Sequence, residues 1–151
     1  MKRSSTRTAA GLFAAILVSG GVSTAHADKP SDRPVSPPIS VTAKLVEIPG
    51  TFPLDDLYDY AYVMRYEVIG GPLDKQSILV AHYKPRQPRA KIKDQMKAHV
   101  AGKLRSFKQG DVHKLELSAE LKRIWQGALV DEFAATDRKS TRYWALVADP
   151  T

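Results

Sequence analysis

Between residues 84 and 108 the chain carries nine bases and one acid, Asp94, a net charge of +8. Clustered cations of this kind bind polyanions, because docking releases the counterions that a polyanion holds condensed along its length. Arg86, Arg89, Lys93 and Lys97 are the candidate contacts to an anionic ligand. The stretch before them is its electrical opposite: residues 47–74 hold six acids and one base, a net charge of −5. The competing reading is structural. A helix packed on a core must turn its charges to water, and the Asp55-Asp56-Asp59 loop of the same molecule would neutralise part of them.

Other chemistry finds less to work with. Beyond the first 27 residues the histidines are His82, His99 and His113, which could meet in space, and neutral imidazoles are common zinc ligands. No pair has a ligand spacing such as HxxxH and no carboxylate is placed to complete a set, so no metal site is assigned. His113 shares a face with Leu115 and Leu117, which favours a core or boundary position. There is no GxSxG elbow, and Ser40, Ser77, Ser106, Ser118 and Ser140 fall in turns or at strand edges. Gly70-Gly71-Pro72 is a turn rather than a phosphate loop, since no GxxxxGK[ST] follows. The absence of cysteine removes thiolate catalysis, thiolate metal sites and disulfides. No catalytic residue and no cofactor is assigned. The enzymatic alternative is a small secreted hydrolase pairing His82 or His113 with Asp55, Asp56 or Asp59.

The elements that would position these groups begin after an export signal. Lys2, Arg3 and Arg7 precede an apolar run over residues 9–18, and Ala25-His26-Ala27 closes it with small residues, the order of a Sec-type signal peptide spanning residues 1–27. The run is shorter than the roughly 20 apolar residues a membrane span needs, so no transmembrane segment is expected. Lys2-Arg3 is not a twin arginine, and without cysteine there is nothing to acylate. Removing 27 of 151 residues leaves 124, which fits one domain at roughly 100–200 residues each. Twenty bases then stand against sixteen acids, a net charge of +4. That modest charge, with export, argues against nucleic acid and for an anionic polysaccharide or envelope protein met in the periplasm or outside the cell.

Residues 28–38, "DKPSDRPVSPP", read as a proline-rich flexible tether, and a single domain is expected over residues 39–151. "ISVTAKLVEI" alternates as a half-buried strand whose phase slips at Val46, which predicts a bulge or bend. "YDYAYVMRYEVIG" sets Tyr60, Tyr62, Met64, Tyr66 and Val68 on one face, and "SILVAHY" follows as a third strand. Ile92, Met96, Val100 and Leu104 recur every four residues, which predicts one amphipathic helix over residues 89–104. "GDVHKLELS" is a fourth strand. "AELKRIWQGALVDEF" has helical spacing interrupted at Gly127, a helix, broken helix or loop, and "TRYWALVAD" is the last strand.

The order β-β-β-α-β-(α)-β predicts a mainly β fold, a five-stranded OB-like Greek-key barrel, with an open five-stranded sheet as its rival. In such a barrel ligands lie across the second and third strands, which nominates Arg65, Glu67, His82 and Tyr83. Tyr83 or Trp144 could stack on a sugar, although tyrosines at alternate positions and tryptophans on apolar patterns are the usual stuff of a core. "AKLVEIPGTFPLDDLYDYAYVMRYEVIGG", "ILVAHYKPRQPRAKIKDQM" and "FKQGDVHKLEL" together resemble the small exported OB-like or netrin-like modules of bacteria, over most of the mature chain. A fainter likeness is to proteins that accompany extracellular polysaccharide acetylation systems, which would imply a structural subunit. Such modules share shape rather than function. The lack of cysteines departs from animal netrin-like inhibitors, so an inhibitor role does not carry over.

Overall fold

The structure is a computed structural model that describes residues 35–151. The expected signal peptide and the tether up to residue 34 lie outside the described residues. Residues 35–38 are exposed and lack regular structure.

The fold is mainly β. Its strands are β1 (Ile39–Glu47), β2 (Tyr60–Val68), β3 (Ser77–Tyr83), β4 (Val112–Ser118), β5 (Ala128–Val130) and β6 (Arg142–Pro150), with a one-turn α1 (Leu121–Ile124). They make one mixed sheet in which pairing runs β1-β4-β6-β3-β2 and then returns from β2 to β1, a ring of hydrogen bonds. β2 lends one edge to two partners: residues 65–68 pair with β1 and residues 60–62 with β5, in parallel. The phase slip read at Val46 is a register shift between Leu45 and Glu47 opposite Tyr66 and Arg65. A second shift lies between β4 and β6, opposite Glu116 and Leu117. No helix among the described residues is long and apolar enough to cross a membrane.

Strand alternation sorts the side chains into two clusters. Tyr60, Tyr62, Met64, Tyr66 and Val68 join Ala43, Leu45, Ile78, Val80, Leu115, Leu117, Ala145 and Ala148, so every strand of the ring contributes to the inner cluster. The other parity of β2 and β3, Ala61, Val63, Leu79, Ala81 and Tyr83, forms a second cluster with Trp144, Leu121 and Phe133. A sheet buried on both faces accounts for the apolar runs in β2 and β3.

The covering of the outer face differs from expectation. The helix predicted over residues 89–104 does not form. A 3-10 turn at Arg89–Lys91 is followed by successive turns, and Lys97 and His99 donate to the carbonyls of Asp94 and Met96 three residues back. The spacing of four still holds for burial, since Ile92, Met96, Val100 and Leu104 are all buried. Tertiary bonding replaces the helical ladder. Ala101 donates to the Leu146 carbonyl and accepts from Ala148, Leu104 donates to the Ala148 carbonyl, and Arg89 donates to the Leu104 carbonyl. The Asp94 carboxylate takes the Met96 amide at 2.9 Å. This segment between β3 and β4, residues 84–111, is a strap, and tied down in this way it leaves few backbone groups for an α-helix. Where it crosses β6 only glycine fits: Gly102 has φ +119°, and a Cβ there would lie 2.1 Å from the Ala148 oxygen. Of the readings of residues 119–133, the continuous helix does not form and the broken one does. α1 stops at Ile124, Trp125 is extended, and β5 adds a sixth strand to the five foreseen.

Candidate functional site

The strap leaves β3 through Lys84, whose positive φ of 38° turns the chain sharply, and its first contacts consume the nearby acids. Lys84 Nζ lies 2.6 Å from Asp59 and 3.8 Å from Asp94. Tyr83 Oη donates to Asp94 at 2.8 Å, and Gln95 donates to Asp59 at 3.3 Å. The Lys84 ammonium holds the Asp59 carboxyl below its ordinary range, and Asp59 in turn raises Lys84. Asp55 faces the Tyr60 hydroxyl at 3.2 Å. The acidic loop therefore spends its paired charge on Lys84, at the root of the strap.

Beyond that root the cations are uncompensated. Arg86, Lys91, Lys93, Lys97, Lys103, Arg105 and Lys108 are all exposed. Among the described residues none of them has a carboxylate within ion-pair distance. Among the described residues Arg86 donates only to the Phe52 carbonyl, at 3.4 Å. The sequence-nominated residues thus divide. Arg86, Lys93 and Lys97 face water. Arg65 is half-buried, 3.7 Å from Glu47 and with its guanidinium over the Phe133 ring at 4.7 Å, while Glu67 is exposed. Tyr83 is buried beneath the strap with Trp144 and against the partly buried Trp125, at centroid distances of 6.5 and 5.2 Å, and Trp144 Nε1 donates to the His99 carbonyl. His82 and Arg89 are buried as well. These three side chains cannot touch a polymer from solvent in this arrangement.

The burial of His82 and Arg89 builds a polar cluster that the pattern of charges did not reveal. Tyr66 Oη lies 3.1 Å from His82 Nε2 and 3.2 Å from His113 Nδ1, and all three side chains point into the inner cluster. A phenol has one hydrogen to give. Both contacts are hydrogen bonds only when one imidazole accepts it and the other donates N–H to the phenol oxygen. His99, the third histidine, is exposed on the strap and takes no part. Phe107 closes the cluster, its ring centroid 4.4 Å from that of His82 and 5.9 Å from that of His113. On Phe107 lies the Arg89 guanidinium, 5.3 Å from the ring centroid. Arg89 Nη2 donates to the carbonyls of Lys84 and Gln87 at 2.7 and 2.9 Å. Arg89 Nε, His82 Nδ1 and His113 Nε2 are buried with no hydrogen-bond partner among the described residues.

Burial sets the charge states. Desolvation pushes His82 well below its ordinary value of 6.5, with the Arg89 charge and His113 adding to the effect. Desolvation also lowers His113, against a weaker upward pull from Asp111. It brings Arg89 down to about 10, still cationic at neutral pH, and raises Tyr66. Two neutral imidazoles thus sit beside a buried cation. Both use Tyr66, and neither has a carboxylate hydrogen-bond partner among the described residues, so they lack the orienting acid of a His/Asp pair.

The signal for this cluster was strand parity. His82 alternates with Val80 and Ile78, and His113 with Leu115 and Leu117. Arg89 carried no comparable signal. A separate open cleft, about 1120 Å³, lies between α1 and residues 131–142. There Arg142 is spent on Asp131 at 2.8 Å and on the Ser140 and Asp137 carbonyls. Comparison of the chain with protein-family models, with curated proteins and with solved structures found no match.

Proposed function

We propose that this protein is an exported binding module that holds an anionic polysaccharide of the cell envelope or its surroundings on the outer surface of the strap. The observation that carries this reading is the row of exposed strap cations, from Arg86 to Lys108, with no ion-pair partner among the described residues. A row of solvated cations without internal acids gains from releasing a polymer's counterions without first breaking salt bridges. The export signal read in the first 27 residues supports an extracytoplasmic polymer over nucleic acid.

The fold reading that accompanies this is a five-stranded OB-like barrel of β1, β2, β3, β4 and β6. The ring of pairings and the strap between β3 and β4 support it, with β5 as an addition. In this reading the strap and Phe133 cover the face of β2 and β3 that OB proteins offer to ligands, so the binding surface has moved onto the cover. The test is retention on immobilised heparin and on a neutral glucan of similar length. The reading expects salt-sensitive retention on heparin alone. Equal retention on both, or on neither, overturns it.

A further inference from the structure

We propose that the strap is an acid-released element: protonation of the buried histidines unseats Phe107 and Arg89 from the mouth of the ring and disperses the cationic row that the strap displays. This regulation rests on the polyanion reading above. The geometry carries it. His82 and His113 are fixed in β3 and β4 by strand pairing, whereas the side chains that seal them from water, Phe107 and Arg89, belong to the strap. The Arg89 amide on the Leu104 carbonyl, at 2.9 Å, ties the first part of the strap to its last part. When the seal lifts, both parts lift with it.

The groups facing the histidines make protonation hard to accommodate in the closed form. β2 contributes the Tyr66 phenol, and β3 and β4 present the two imidazoles to each other. The strap contributes the Arg89 cation. The neighbouring inner residues of β1 and β6, Ala43 and Ala148, are apolar. Asp111, before β4, favours a charged His113, and Asp55 favours the Arg89 charge, but neither hydrogen-bonds an imidazole. An imidazolium formed here would place like charge beside Arg89 with no carboxylate in contact among the described residues. The least costly escape is hydration through the strap, because opening the ring would break whole ladders. Burial that depresses both histidines is consistent with a closed form that excludes the proton.

Wild-type hydrogen exchange at about pH 7.5 and about pH 5, corrected for intrinsic rates, tests this directly. The proposal expects protection at the amides of Arg89, Ala101 and Leu104 to fall at least about tenfold more than protection across the β2–β3 ladder. A uniform loss over strap and ladder, or no loss, overturns it. Heparin retention supplies a second readout. Simple charge counting predicts binding in acid at least as tight, because protonation only adds positive charge; release of the strap predicts weaker binding. The double variant His82→Gln/His113→Gln should lose that acid weakening, and an acid response equal to wild type would contradict the proposal. If heparin is not held even at about pH 7.5, the polyanion reading is what fails, and exchange in the wild type still decides the release.

Discussion

Arg89 lies over the face of Phe107, its guanidinium carbon 5.3 Å from the ring centroid, and its Nη2 donates to the carbonyls of Lys84 and Gln87. The contact joins the first and last turns of the strap. It also seals two imidazoles that share a single phenol. The same segment that exposes cations to water therefore closes the polar interior, and stability and surface chemistry are coupled through it.

Acid should destabilise the fold earlier than carboxylate titration alone would. In the unfolded chain both histidines titrate near the ordinary 6.5, while in the fold both are depressed, so below that pH the unfolded state binds more protons. Their contribution is complete above about pH 6.5 and is lost as pH falls towards the folded-state values, by up to about 1.4 kcal/mol per pH unit for each histidine. Urea unfolding at stepped pH checks this. A flat stability between about pH 7 and about pH 5 would contradict the burial of the pair.

Phe107→Ala should cost about 3–5 kcal/mol, since it leaves a cavity among buried rings and exposes His82 to water. Phe107→Leu should cost less than about 2 kcal/mol because most of the volume remains. The pair separates packing from the seal. The alanine variant should also lose the acid sensitivity of the strap, which denaturant midpoints at two pH values would record.

The strap crosses β6 at Gly102, where a Cβ would meet the Ala148 carbonyl at 2.1 Å; at Gly110, with φ +99°, no atom of the described residues lies within 4 Å of one. Gly110→Ala carries only the cost of a left-handed backbone, about 1 kcal/mol. Gly102→Ala adds a backbone clash and should cost at least about 2 kcal/mol more, with the bonds of Ala101 and Leu104 to β6 lost first. Equal unfolding midpoints for the two variants would contradict the crossing.

The legible part of the molecule was whatever burial makes periodic. The alternation in residues 60–68 fixed both the strand and its inner face, because a strand sandwiched between two clusters must alternate in what it meets. The slip at Val46 announced a real register shift. Along the strap the spacing of Ile92, Met96, Val100 and Leu104 correctly reported burial but not conformation. The bonds that replaced a helix run to Leu146 and Ala148, over forty residues away, and no local pattern encodes them. β5 was hidden for a like reason. Its three residues pair with the start of β2, a partner some seventy positions earlier.

Of the residues nominated by sequence, three strap cations are exposed as expected, and three others, His82, Tyr83 and Arg89, are buried. Arg86, Lys93 and Lys97 face water as nominated, but Arg89, counted with them by charge, turns inward. Pro88 before it and the Lys84 and Gln87 carbonyls form a short loop that receives its guanidinium, and its aromatic partner arrives eighteen residues later. His82 and Tyr83 occupy consecutive positions of β3 and so point to opposite faces. With both faces covered, both are buried.

The central claim is that the exposed strap cations hold a polyanion, and the most direct measurement is heparin affinity against salt for wild type and for Lys91→Glu/Lys93→Glu/Lys97→Glu/Arg105→Glu. All four positions are exposed and without ion pairs among the described residues, so the unfolding midpoint should barely move. The account predicts that affinity collapses and that the slope of log K against log salt shrinks by roughly one for each lost contact. Unchanged affinity and slope in a folded variant would contradict it.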